Sequence, residues 1–263
     1  LKTAVALLVR ATRKMRSRRK RREEFLSFDT PEIRVLCDET THEIQGIERR
    51  EQRESDELVE ECMLAANSAV AEEISIANFA GIYRIHPEPE PEKLDEFTLF
   101  VAALLKRMPG DLTNRKVCNE FLDHLPDDHR KYVITANFLR AMARASYSPD
   151  PGLHYGLGKT RYSHFTSPIR RYSDLALHQQ LHAAAENTRL RSKKTFAAIA
   201  LECSKREERN DEAYFAANDR LKLHYLKSRN ALEAMKLYEG VVIKMSSQGM
   251  ICDIPEYGLR GFV

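Results

Sequence analysis

No run of apolar residues in this chain reaches the roughly 20 needed to span a bilayer, and the apolar stretch at Leu1–Val9 stops well short of it. Cysteine motifs are missing too. Cys37, Cys62, Cys118, Cys203 and Cys252 are scattered and odd in number, with neither a CxxC pair nor a Cys/His cluster at zinc spacing. That excludes a disulfide scaffold or a zinc ribbon and predicts reduced thiols in an intracellular compartment. Charge of one sign is also lacking. The 42 Lys and Arg against 39 Asp and Glu leave +3, so only the distribution of charge can argue for nucleic acid. The chain shows no internal repeat, no initiator methionine and no signal peptide. It begins inside a helical pattern and ends inside a strand pattern, so both ends read as cuts in a longer protein. What remains is 263 residues, 43% hydrophobic and 31% charged. That suits a soluble globular chain of one large domain, or one domain and part of another.

Periodicity predicts a helix over residues 1–22, with Val5, Leu8, Val9 and Met15 as a partial apolar stripe. Its other face is dense in cations, from Arg10 to the run Arg18-Arg19-Lys20-Arg21-Arg22. Such a run is either a solvated face or a contact for RNA or a partner. Alternating segments at 24–28, 33–37 and 43–47, separated by turn residues, predict a three-stranded antiparallel meander. A strong helix follows over 55–77, with Leu58, Cys62, Ala65, Ala69 and Ile76 on one face. A Pro-Glu linker at 86–91 leads to helices over 94–108, 114–122 and 131–147. The stretch 193–236 contains neither Pro nor Gly and can hold one long helix or two. Segments 237–245, 250–254 and 260–263 read as strands opening a small barrel.

One segment carries chemistry. His164 to Asp174 reads H-F-T-S-P-I-R-R-Y-S-D. Pro168 suits the first helical position and Ser167 the cap before it, which predicts Arg170 and Arg171 in a helix's first turn. Two cations there oppose the macrodipole at about 0.3–1 kcal/mol each. Breaking a local rule in this way marks a candidate functional site, and exposed N–H groups with two guanidinium groups suit a phosphate. Asp174, four residues beyond Arg170, reads as the partner that pins its guanidinium, with an ordinary surface ion pair as the alternative.

This string, followed by Leu177-His178, resembles the most specific signature of the RNB family of 3′→5′ exoribonucleases, the ribonuclease II and R type. Two further segments stand in family order. Leu58–Asn67 (L-V-E-E-C-M-L-A-A-N) is similar to the family's E-E-x-M-x-x-A-N helix, and Tyr83-Arg84-x-His86-Pro87 to its Y-R-x-H segment. Ile254–Gly261 (I-P-E-Y-G-L-R-G) resembles the opening of the family's C-terminal OB-fold, in wording nearest the eukaryotic exosome-associated branch.

The resemblance implies an α+β fold: 1–236 as the mostly helical second half of an RNB domain with its short β meander, and 237–263 as the start of an OB-fold. It implies processive hydrolysis of single-stranded RNA from the 3′ end, releasing nucleoside 5′-monophosphates. It assigns Arg170 as the catalytic arginine, with Glu60, Glu61, His164, Ser167 and Arg171 at the RNA and Asn67, Tyr172 and Asp174 as structural support. A carboxylate from the Glu60-Glu61 pair accepting from a 2′-OH would distinguish RNA from DNA. Glu207, Arg209 and Glu212 fall in a charged helix read as solvated or ion-paired.

The family's magnesium is held by an aspartate cluster for which this chain has no counterpart. Asp127-Asp128 is the only Asp pair and reads as a helix cap. The Mg2+ ligands are therefore expected outside these residues, in an upstream half of the same domain, and the chain alone is expected to be inactive. Other expected partners are RNA and, if the eukaryotic wording holds, exosome core subunits in nucleus or cytoplasm; no membrane is implied. The competing reading is a non-catalytic RNA-binding or scaffold protein that kept the fold without the metal site.

Overall fold

The computed structural model describes residues 2–22, 25–26, 32–50, 52–230 and 237–263. Along the chain lie helix α1 (Lys2–Arg21), strands β1 (Glu32–Cys37) and β2 (Ile44–Arg50), helix α2 (Glu54–Ile76) and strand β3 (Tyr83–Ile85). Helices α3 (Pro91–Leu105), α4 (Arg115–Asp123) and α5 (His129–Ala141) follow, then strand β4 (Ser146–Ser148). Helices α6 (Tyr172–Ala185) and α7 (Lys193–Asn230) precede strands β5 (Val241–Ser246), β6 (Gly249–Ile254) and β7 (Leu259–Phe262). The class is α+β, helix-rich with short antiparallel sheets. No described helix is long and apolar enough to cross a membrane.

The chain divides into two units. The first comprises Leu1–Phe28, Arg53–His124 and Phe138–Glu207. Its core joins Ala71 and Ile74 of α2, Ile82 and Tyr83 around β3, Ala176 and Leu177 of α6, and Phe196 and Ala200 of α7. The buried face of α2 is Glu61, Leu64, Asn67, Ala71 and Ile74, at helical spacing. This corrects the predicted face: Ala65 and Ala69 are exposed, and Ile76 is 71% exposed. Hydrophobicity alone misplaces the stripe because Glu61 and Asn67 enter the interior with polar partners of their own.

Helix α5 is shorter than the predicted 131–147. Residues 146–148 instead form β4, antiparallel to β3, with Arg84 opposite Tyr147. The Arg84 guanidinium lies 4.7 Å over the Tyr147 ring, a cross-strand contact that a continued helix would forgo. This short sheet, which the sequence reading missed, carries the Tyr83-Arg84-x-His86 segment to the signature residues.

The second unit comprises Asp29–Gln52, Leu125–Asn137 and Glu208–Val263. Strands β1 and β2 pair antiparallel across the Asp38–His42 turn, where Asp38 Oδ1 accepts the Thr40 and Thr41 N–H groups at 2.8 Å each. The predicted third strand of this meander, 24–28, lies partly outside the described residues. Its described members, Phe25 and Leu26, are buried and not in a strand. Their backbone groups bond elsewhere in the first unit: Asn119 Nδ2 donates to Phe25 O at 3.0 Å, and Leu26 N–H donates to Gly156 O at 2.9 Å.

Strands β5, β6 and β7 form an antiparallel meander in that order, near the predicted bounds. Asp253, 2% exposed, accepts Arg260 Nε at 2.6 Å and Nη2 at 3.0 Å across β6 and β7. Gly258 turns the chain between these strands at φ +56°, and a Cβ there would sit 2.8 Å from the Ile33 side chain. The stretch 193–236 resolves as one helix of 38 residues, α7, over its described part.

Candidate functional site

The Ser167–Asp174 segment is organised by one carboxylate. Asp174 is fully buried and accepts four donors: Ser167 N–H at 2.8 Å, Ser173 Oγ at 3.0 Å, and Arg171 Nε and Nη2 at 2.9 and 2.7 Å. Helix α6 therefore starts where this carboxylate, in its first turn, reaches back over the preceding loop. A negative charge at that place also suits the macrodipole.

Two expectations are corrected here. Helix α6 starts at Tyr172, with Arg171 as an extended N-cap residue, rather than at Pro168. Residues 167–171 instead make a separate turn, in which the Arg170 and Arg171 N–H groups donate to Ser167 O at 3.3 and 3.0 Å. Neither arginine lies in the helix's first turn. The partner of Asp174 is Arg171 and not Arg170, because the turn brings the Arg171 side chain alongside the carboxylate.

The consequence is a division of labour. Arg171 is four-fifths buried and held at two points. Arg170 is exposed, and its side chain makes no hydrogen bond or ion pair among the described residues. Ile169 beside it is fully exposed and Tyr172 is 54% exposed. A braced turn thus presents a guanidinium that has no partner among the described residues, an arrangement suited to an anion.

Behind the turn lies a chain of aromatic and imidazole rings. His164 Nδ1 is 2.9 Å from Tyr147 Oη, and its ring stands edge-on to both Tyr147 and Tyr162. Burial, with Arg171 and Arg84 nearby, pushes its pKa down to about 3, so the imidazole is neutral at pH 7. His154, edge-on to Tyr162 and to His86, is lowered by burial to about 4.

Asn67, 2% exposed, donates to Tyr162 Oη at 2.9 Å and accepts Phe165 N–H at 2.9 Å, tying α2 to the irregular segment 162–165. Glu61, also buried, forms an ion pair with Arg19, whose guanidinium lies 4.1 Å over the Phe25 ring. Glu60 is more open, with Arg16 at 3.9 Å. Sequence reasoning gave no role to Arg84 or Tyr147 and left Glu207 in an uncertain register. Glu207 Oε2 lies 2.5 Å from Arg84 Nη1 beside the Tyr147 ring, and the Y-R-x-H segment was the signal that could have found this pair.

The acidic groups of this site do not fit a magnesium ion. Asp174, Glu61 and Glu207 each face a guanidinium rather than one another, and among the described residues no group of three or more His, Cys, Asp or Glu side chains converges. Asp128 caps α5 by accepting Arg130 N–H at 2.8 Å.

The model of the RNB domain matches residues 1–187. The chain belongs to the RNB family. Ribonuclease R of Aquifex aeolicus is 34% identical to it over 247 residues, covering 90% of this chain and 34% of that protein. Ribonuclease R of Thermotoga maritima is 29% identical over 257 residues, covering 95% and 36%. The chain thus spans about a third of the length of these relatives. Among solved structures, Mycoplasma genitalium RNase R in complex with ribose-methylated single-stranded RNA superposes with a TM-score of 0.87 at 22% identity, covering 99% of this chain and 41% of that one. The RNB match includes both Glu60-Glu61 and the Ser167–Asp174 turn.

Proposed function

We propose that this chain is the second half of the catalytic domain of a hydrolytic 3′→5′ exoribonuclease acting on single-stranded RNA. The observation that carries the reading is the division between the two arginines. Asp174 holds Arg171, and the turn so fixed leaves Arg170 exposed and unpaired among the described residues. A preorganised guanidinium facing a scissile phosphate neutralises charge that develops on its oxygens. His164, Ser167 and Arg171 then border the RNA, while Asn67, Tyr172 and Asp174 support it. Glu60, the more open of the glutamate pair, is the better placed to accept from a ribose 2′-OH.

In this reading the magnesium ligands are aspartates outside these residues, in an upstream half of the domain, and the products are nucleoside 5′-monophosphates released processively. Residues 237–263, with their three-stranded meander, are the opening of an OB-fold. The five free cysteines suit a reducing, intracellular compartment. Assignment to the exosome-associated branch rests on the wording of Ile254–Gly261 alone. The relatives named above are bacterial, so we carry forward the family and not the branch.

The test is hydrolysis of a 3′ single-stranded RNA with magnesium, read as mononucleotide release. The expected result is mononucleotide release by a longer chain that carries the upstream half-domain and none by the 263 residues alone. Release by the chain alone at the longer protein's rate overturns the half-site reading.

A further inference from the structure

Between the Asp174 carboxylate and the His164 imidazole lie two hydroxyl groups, and the protons of this chain can be counted. Ser173 Oγ donates to Asp174 Oδ2 at 3.0 Å. Tyr147 Oη is 2.9 Å from His164 Nδ1, and its other side-chain partner is the Ser173 hydroxyl. Arg84, paired with Glu207, lies 4.7 Å over the Tyr147 ring and holds that ring in place. Ser173 and Asp174 are both buried, at 2% and 0% exposure.

A hydroxyl has one proton to give. Asp174 is a carboxylate paired with Arg171 and only accepts, so the Ser173 proton is committed to it. Ser173 Oγ then meets Tyr147 only as an acceptor, which commits the Tyr147 proton in turn. Tyr147 Oη is left to meet His164 as an acceptor, and the imidazole proton must sit on Nδ1. The opposite assignment, with Tyr147 donating to Nδ1, leaves the two hydroxyl oxygens facing each other with lone pairs alone. That gives up one bond of the three in a part-buried network, where an unmade bond is costly.

We infer that the chain His164–Tyr147–Ser173–Asp174 holds His164 as the Nδ1–H tautomer and leaves Nε2 as an acceptor. Tyr147 and Ser173 are then positioning residues. They act through the imidazole at one end and, at the other, through the carboxylate that braces the Arg171 turn. An acceptor at Nε2 suits a hydroxyl group or a water and repels a phosphate oxygen, so His164 does not serve the site as a phosphate donor. The effect on cleavage rests on the proposed exoribonuclease reading; the tautomer does not.

Long-range proton–nitrogen correlation spectra of the 263-residue chain at pH 7, with isotope-labelled histidine, read which nitrogen of His164 carries the proton. His164→Gln identifies its signals. The inference expects Nδ1–H in the wild-type chain. Ser173→Ala removes the acceptor of the Tyr147 proton and frees it to turn to Nδ1, so the tautomer should switch to Nε2–H. Tyr147→Phe keeps the ring and removes only the hydroxyl, and the preference for Nδ1–H should be lost. A role in packing alone would move neither signal. A second arm measures kcat and KM on single-stranded RNA in a longer chain that carries the upstream half-domain. Both variants should lower kcat roughly tenfold, the cost of about one hydrogen bond, with KM little changed. Nε2–H in the wild-type chain, or Nδ1–H that persists in Ser173→Ala, overturns the proton chain. Tautomer shifts with an unchanged kcat overturn the positioning role. A wild-type longer chain that does not cleave counts against the exoribonuclease reading, and the spectra still decide the tautomer.

Discussion

Asp174→Asn is the perturbation that most severely tests how the candidate site is held. The carboxylate accepts four donors, and two of them come from a cation. Asparagine offers one carbonyl oxygen and turns an N–H2 group toward donors that expect an acceptor. At most two of the four bonds survive. Hydrogen bonds to charged groups contribute about 1.5–3 kcal/mol each, and breaking a buried pair costs about 3–5 kcal/mol. The Arg171 side chain is 19% exposed, so water recovers part of that loss and the low end applies, about 3 kcal/mol. The Ser167 amide reads it directly, because its N–H donates to this carboxylate. Hydrogen exchange there should accelerate roughly a hundredfold, at 1.4 kcal/mol per decade. The double variant Asp174→Asn/Arg171→Met should recover stability relative to Asp174→Asn, since no buried guanidinium is stranded. A change below about 0.5 kcal/mol at Ser167, or a double variant worse than the single, refutes the view that one carboxylate organises the turn.

Acid should destabilise the first unit. His164 and His154 are held neutral in the fold, at about 3 and about 4 against 6.5, so the unfolded chain binds more protons between those values. The stability they contribute is intact above about pH 6.5 and is lost as pH falls toward 4; denaturant midpoints measured across that range should flatten in His164→Gln, and an unchanged slope would count against burial as the cause. Glu61→Gln should destabilise by about 3 kcal/mol by leaving Arg19 buried without its counter-charge, whereas Glu60→Gln should stay within about 0.5 kcal/mol. In the longer protein, Glu60→Gln should lower the ratio of RNA to DNA affinity, and an unchanged ratio returns Glu60 to the solvated surface.

The sequence showed the helices well where propensity and pattern agree. α2, α4 and α7 stand within a residue or two of expectation over their described parts, and the last three strands were visible from their turns. It misled where tertiary partners override local rules. Ser167-Pro168 is a sound helix start by local chemistry, yet the helix begins four residues later because Asp174 needs Ser167 N–H and the Arg171 side chain together. The α2 stripe was read from apolar residues, while Glu61 and Asn67 point inward because Arg19 and Tyr162 wait there, 42 and 95 residues away in sequence. Arg84, Tyr147 and Glu207 were invisible as a group for the same reason: only the short β3–β4 sheet and the middle of α7 bring them together. The motif named the site residues by resemblance, but which arginine is braced and which is exposed is a matter of geometry.

The central claim is that Arg170 meets the scissile phosphate and Arg171 holds the turn. Single-turnover cleavage and equilibrium RNA binding, measured on Arg170→Ala, Arg170→Lys and Arg171→Ala of the longer protein, test it most directly. The account predicts that Arg170→Ala slows cleavage about 10²–10³-fold while RNA binding, carried by other backbone contacts, changes little. Arg170→Lys should recover only part of the rate, because an ammonium lacks the fixed planar fork. Arg171→Ala should act mainly on the stability of the turn. Cleavage by Arg170→Ala at nearly the wild-type rate would contradict the account, and an inactive but well-folded Arg171→Ala beside it would transfer the catalytic role to the other arginine.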